Sequence, residues 1–115
     1  MSVNKVILLG NVGQDPRIRY VQTVALAEFS LATTERAYRN AEGLEIPERT
    51  EWHNIVMRGR NAETAEKYVR RGTKLYIEGR LRTRTWEDRN AIKRTVTEIL
   101  VDTFEILSRP ATGQS

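Results

Sequence analysis

Between Lys74 and Trp86 the chain alternates. Lys74, Tyr76, Glu78, Arg80, Arg82, Arg84 and Trp86 occupy every second position, with Leu75, Ile77, Gly79, Leu81, Thr83 and Thr85 between them. Side chains of an extended strand point to opposite faces in turn. This spacing therefore puts four cations, two aromatics and one carboxylate on one face and the apolar anchors of a core on the other. An ordinary exposed strand mixes its charges more evenly. A row of fixed positive charge and flat rings suits a flexible polyanion with exposed ring planes, which describes single-stranded nucleic acid. Cations answer the phosphates, and aromatic rings stack on bases whatever their identity. Arginine dominates the row, and its planar guanidinium can both pair with phosphate and stack.

The charge of the whole chain points the same way. Its 115 residues carry a net charge of +4, but the segment from Arg58 to Arg94 holds twelve Lys/Arg against five Asp/Glu. The remainder has seven basic and ten acidic residues. The middle-to-late segment is thus the electrostatic footprint for a polyanion. Trp52 and Arg58 lie six residues apart on a separate alternating stretch, so they share a face. If that strand neighbours the basic one, Trp52, Trp86 and the arginine row form one surface. Arg36, Tyr38 and Arg39 lie in a polar connection from which they could reach over a bound strand.

Enzymatic readings find little to work with. The chain has no cysteine and a single histidine, His53, at an inward strand position beside Ile55 and Met57. That suits a core or subunit-contact residue better than a base, and no second His or Cys is available for a metal site. No cofactor or metal is expected. Glu87 and Asp88 are adjacent carboxylates in a turn without partners for catalysis. No phosphate-cradling glycine motif precedes the helix. The start, Met1 to Lys5, lacks a secretory pattern, and the apolar run Val6 to Leu9 is far too short for a membrane span, so a cytoplasmic protein is expected.

The elements that must position these residues read as five strands and one helix. Strands are expected at Val3–Leu9, Val24–Thr34, Thr50–Arg58, Thr73–Trp86 and Ile92–Leu107, the last long enough to bend or carry a bulge. Gly10, Gly13, Asp15 and Pro16 carry turn chemistry after the first. The connection from Glu35 to Arg49, about fifteen residues, is long for a compact domain, as functional or mobile loops are. Asn61 reads as an N-cap, Ala62, Ala65, Tyr68 and Val69 as a helix face, Arg70 and Arg71 as complements to its dipole, and Gly72 as its C′ residue. One domain, residues 1–107, with a short disordered tail at 108–115 fits this length. Five short strands with a helix between the third and fourth suggest the all-β, partly open Greek-key barrel called the OB-fold.

Several ordered blocks resemble the bacterial single-stranded DNA-binding protein family. They are Val3-Asn4-Lys5-Val6-Ile7-Leu8-Leu9-Gly10-Asn11-Val12-Gly13-Gln14-Asp15-Pro16, Leu31-Ala32-Thr33, Thr50-Glu51-Trp52-His53, the helix with Ala62-Glu63 and Tyr68, and Tyr76-Ile77-Glu78-Gly79-Arg80-Leu81-Arg82-Thr83-Arg84. The resemblance runs from Val3 to about Leu107. It implies an OB-fold homotetramer that wraps single-stranded DNA in replication, recombination and repair, in the bacterial cytoplasm on the nucleoid. It implies base stacking on Trp52 and Trp86, basic contacts at Lys5, Lys74, Arg82 and Arg84, and a subunit contact at His53. Arg58 stands where many members have a stacking aromatic, and Tyr38 is the nearest aromatic to a Trp that many carry early in the long loop. The acidic tip that recruits partner proteins in many members is absent from this chain.

The combined expectation is a non-enzymatic, sequence-independent binder. Phosphates lie against Lys5, Arg36, Arg58, Lys74, Arg80, Arg82 and Arg84, and bases stack on Trp52, Trp86, Tyr38 and Tyr76. The alternatives are a primosome-type OB-fold adaptor whose main partner is protein, and a nuclease-like barrel, for which the clustered carboxylates are missing.

Overall fold

The computed structural model describes residues 1–110. Eight strands and one helix follow in the order β1 (Val6–Val12), β2 (Arg17–Val21), β3 (Val24–Glu35), β4 (Tyr38–Arg39), β5 (Glu45–Ile46), β6 (Arg49–Arg58), α1 (Arg60–Tyr68), β7 (Lys74–Glu87) and β8 (Lys93–Ser108). The sheet order β1-β7-β8-β6-β3, with β3 returning to pair with β1, closes a ring of five strands. All its pairings are antiparallel except β6 with β8. A closed five-stranded ring with one helix between its third and fourth strands is the expected OB-fold.

The first barrel strand departs from its expected limits. Pairing with β7 begins at Val6 opposite Gly79 rather than at Val3. Just before it, the Asn4 side chain accepts from the Leu81 N–H and donates to the Leu81 carbonyl, both at 3.0 Å. One carboxamide thus continues the ladder that the backbone leaves off. Gly10, expected in a turn, lies inside β1. β1 and β2 pair with successive parts of the same edge of β3, so they are two halves of one strand broken at residues 13–16. The break is tied down on both sides. Asp15 Oδ1 accepts the Arg71 N–H at 2.8 Å, and Gln14 Oε1 accepts the Ser30 hydroxyl at 3.0 Å.

Period-two burial in β3 (Ala25, Ala27, Phe29, Leu31) meets Ile55 and Met57 of β6, Leu75 and Ile77 of β7, and Ile99 and Val101 of β8 in one core. Burying side chains of this size contributes roughly 1.5–3 kcal/mol each. α1 closes the barrel against β3, β6 and β8, sinking Ala62, Ala65 and Val69. The expected Asn61 cap does not form. The helix starts at Arg60 behind Gly59 with no side-chain cap, and Asn61 donates instead to the Asp102 carbonyl at 3.2 Å. Gly72 is not the C′ residue either, since the helix ends at Tyr68. Gly72 belongs to the turn that follows and donates its N–H to the Val12 carbonyl. Arg70 does serve the helix end, donating Nη1 to the Glu66 and Val69 carbonyls.

β7 and β8 pair over their whole length and outrun the barrel. The anticipated irregularity in the last strand takes the form of two register shifts, which leave Asp102 and Leu107 of β8 without an opposite residue. Beyond Gly79 the strands form a projecting hairpin arm. Leu81, Thr83 and Thr85, expected on the core side, are therefore exposed. Ser108 still belongs to β8, and of the expected tail residues 111–115 lie outside the described residues.

Two hairpin turns use one design. In the arm, Asp88 Oδ1 accepts the N–H groups of Asn90 and Ile92, while backbone bonds join Asp88 to Ile92 and Ala91. In the long connection, whose small β4–β5 hairpin the sequence did not announce, Asn40 does the same for Glu42, Leu44 and Gly43. The fourth turn residue is left-handed in both, Gly43 at φ 82° and Ala91 at φ 62°. An L side chain there costs roughly 1 kcal/mol or more. Ala91→Gly should raise the unfolding free energy by about 0.5–1 kcal/mol, the relief exceeding the entropy lost. Urea unfolding of the two proteins checks this, and a less stable variant would contradict it.

Candidate nucleic-acid interface

Core burial fixes which side chains face outward. With Ile55, Met57, Ile99, Val101, Leu75 and Ile77 inside, the outer face carries Trp52, Asn54, Val56 and Arg58 from β6, Glu98 and Leu100 from β8, and Arg80, Arg82, Arg84 and Trp86 from β7. The basic strand does not neighbour β6, contrary to the sequence expectation. β8 runs between them, parallel to β6 and antiparallel to β7. The surface that joins the tryptophans to the arginine row is thus three strands wide, and its middle strand contributes no cation in the stretch Val96–Asp102. Val56 and Leu100, Cα partners in that parallel pair, are buried on this outer side, apart from the core. A cleft of about 270 Å³ opens on the same face, lined among others by Ser30 of β3, Asn54 and Val56 of β6, Val96 and Glu98 of β8, and Arg84 of β7.

Most of the expected phosphate-binding cations already have partners. Lys5 Nζ lies 3.2 Å from Glu78 Oε1, and Arg80 Nη1 is 2.7 Å from Asp102 Oδ1. Arg82 Nη2 and Arg84 Nε meet the two oxygens of Glu98 at 3.3 and 2.9 Å. Glu98 is only 4% exposed, and the sequence reading missed it. Its signal was present in the hairpin register: once the turn at Asp88–Ile92 is fixed, Glu98 stands opposite Arg82. Arg36, Arg58 and Lys74 are exposed and make no ion pair among the described residues.

The aromatics divide into two groups. Trp52 is 58% exposed, and its ring edge rests against Gly13, whose missing side chain leaves the space for it. Trp86 is 46% exposed on the arm, with Arg94 opposite in β8. Tyr38 stands exposed on the small β4–β5 hairpin. Tyr76 belongs elsewhere. It is half-buried between Leu9 of β1 and Glu105 of β8, and its hydroxyl donates to Glu78 Oε2 at 2.6 Å. That bond, together with Lys5, holds the Glu78 carboxyl below the usual carboxylate range, while the same carboxylate raises the Tyr76 hydroxyl. Beside it on β1, Ile7 and Leu9 expose apolar side chains. His53, half-buried, meets the Thr33 hydroxyl through Nε2 at 2.9 Å. Among the described residues no three His, Cys, Asp or Glu side chains stand together as metal ligands.

Comparison with known proteins matches this geometry. Residues 3–107 match the Single-strand binding protein family. A protein of Bacteroides thetaiotaomicron described as a single-stranded DNA-binding protein is 60% identical over 109 residues, covering 94% of this chain and 68% of that protein. A solved structure of the Plasmodium falciparum SSB complex with ssDNA superposes with a TM-score of 0.83 at 33% identity, covering 94% of this chain and 97% of the other. With the fold, the chain order and nearly the whole length in agreement, the chain belongs to the single-strand binding protein family.

Proposed function

We propose that this protein binds single-stranded DNA with little sequence preference and catalyses no reaction. The observation that carries the reading is the continuous outer face of β6, β8 and β7, with a half-exposed tryptophan on each outer strand and guanidinium groups between. The relatives' own descriptions, one of them of a complex with single-stranded DNA, support it. Bases stack on Trp52 and Trp86, and on Tyr38 where its hairpin reaches the strand. Phosphates meet Arg36, Arg58, Lys74 and the arm arginines, with Lys5 available when it leaves Glu78. Its service is protection of single strands in replication, recombination and repair, in the cytoplasm. No described helix is long and apolar enough to cross a membrane.

Assembly into a homotetramer accords with the exposed apolar side chains of Ile7 and Leu9 on β1, beside half-buried Tyr76. This neighbourhood makes Tyr76 a residue of the contact between copies rather than a base platform. Half-buried His53 of β6 belongs to the same kind of contact on this reading.

Three measurements test the DNA reading. Affinity for oligo(dT), followed by tryptophan quenching, should fall with salt at a log–log slope between about −2 and −5 per protomer, for three to seven neutralised phosphates on a single strand. A flat response would overturn the phosphate contacts. Trp86→Ala should weaken binding to poly(dT), poly(dC) and poly(dA) alike, by about 1–3 kcal/mol. A loss confined to one homopolymer would indicate base reading instead. Gly13→Ala, which drives a methyl into the Trp52 ring edge, should shift Trp52 emission and weaken all three homopolymers together. Unchanged binding would remove Trp52 from the interface.

A further inference from the structure

The two arginines that meet at Glu98 differ from the other paired cations. Arg80 and Asp102 are each about half exposed (47% and 50% of the side chain), so that pair opens into water at little cost. Glu98 is a buried carboxylate, 4% exposed, on the middle strand of the face, and its two oxygens are met by Arg82 Nη2 and Arg84 Nε. A buried carboxylate that loses its partners keeps its desolvation penalty, so this junction resists opening. One carboxylate cannot neutralise two guanidinium groups, and the junction retains a net positive charge.

The donor inventory shows where that charge points. Arg84 spends Nε on Glu98, and neither of its Nη groups has a protein partner among the described residues. Arg82 spends Nη2, while its Nη1 lacks a partner and its Nε is buried without one. Arg84 and Glu98 both line the 270 Å³ cleft, together with Ser30, which flanks Gly13 as the Trp52 ring edge does. Free arginines would lose several rotatable bonds on meeting a ligand. Tethered ones present their remaining N–H groups in a fixed direction, which lowers the cost of binding.

We propose that Glu98 is a positioning residue: it holds Arg82 and Arg84 as a fork for one phosphodiester of the bound strand at the mouth of the cleft. The proposal rests on the single-stranded DNA reading. It assigns a carboxylate a favourable role in binding a polyanion, the opposite of what its charge alone would do.

The test is Glu98→Gln, assayed by tryptophan quenching with oligo(dT) at low and moderate salt beside a thermal melt. Removing a negative charge should tighten binding if Glu98 only opposes the DNA. A positioning role instead weakens it by about tenfold, with a shallower salt slope as the fork disperses. In a chain already carrying R82Q and R84Q, adding E98Q should change affinity by less than ~2-fold, because contacts that act through one another are not additive. Wild-type or tighter binding by E98Q would overturn the proposal, as would a full loss persisting in the R82Q/R84Q background. Should E98Q fail to melt cooperatively, Glu98→Asp keeps the charge but withdraws the carboxylate by one methylene. It should bind several-fold more weakly than wild type, and undiminished binding would overturn the proposal. A wild-type protein that leaves oligo(dT) unbound would overturn the DNA reading itself, a result distinct from any difference between variants.

Discussion

The outer face depends on one constraint, the closure of the ring at β1. This strand must pair with β7 along one edge and with β3 at its far end, and Asn11 has Cα partners in both, Lys74 and Ala32. Such a crossing brings backbones closer than ordinary strand spacing. At Gly10 a Cβ would collide with the Ala32 carbonyl of β3. In the same ring β8 lies between β7 and β6, which carries Glu98 and Leu100 to the middle of the outer face.

Closure also determines where the barrel stops. β1 pairs with β7 no further than Gly79, and the Asn4 carboxamide finishes the ladder at Leu81. Past that point β7 has only β8 for a neighbour, and both sides of the hairpin meet solvent. Alternation persists along the arm, but its meaning changes. In the barrel it separates core from surface, whereas on the arm it separates a charged, aromatic side from a threonine-rich one, where Thr83 and Thr97 lie opposite each other.

Strand positions were legible because period-two burial governs β3 and the first half of β7, and apolar alternation records it directly, whereas β6 announces itself by the buried run Ile55–Met57. The helix was legible from Ala62, Ala65 and Val69, which the core demands. Its ends were not, because Asn61 finds a tertiary partner in Asp102 that local capping rules cannot anticipate. β2 and the β4–β5 hairpin escaped notice for a related reason. They bury little, so they leave no strong apolar record and are held by backbone pairing and by the Asn40 turn. Of the candidate site, the identity and outward orientation of Trp52, Trp86 and the arm arginines could be read from spacing. The carboxylates that pair with those arginines were not visible from spacing along one strand: Glu98 emerges only once the hairpin register is fixed, and Asp102 sits at a register shift.

That omission alters the electrostatic argument itself. A count along one strand makes Arg80, Arg82 and Arg84 three free charges. Across the β7–β8 register they face Asp102 and Glu98, leaving an excess of one. On the proposed reading, long-range attraction of a polyanion then comes chiefly from cations without such partners, Arg36, Arg58 and Lys74 among them, and it is screened over about 10 Å in ordinary salt. The arm contributes a different quantity: direction, through guanidinium groups already oriented before a ligand arrives, and ring area at Trp86. On the proposed reading, such a face separates the charges that draw a strand in from the groups that hold it. The number of basic residues in the sequence therefore overstates the first contribution and conceals the second.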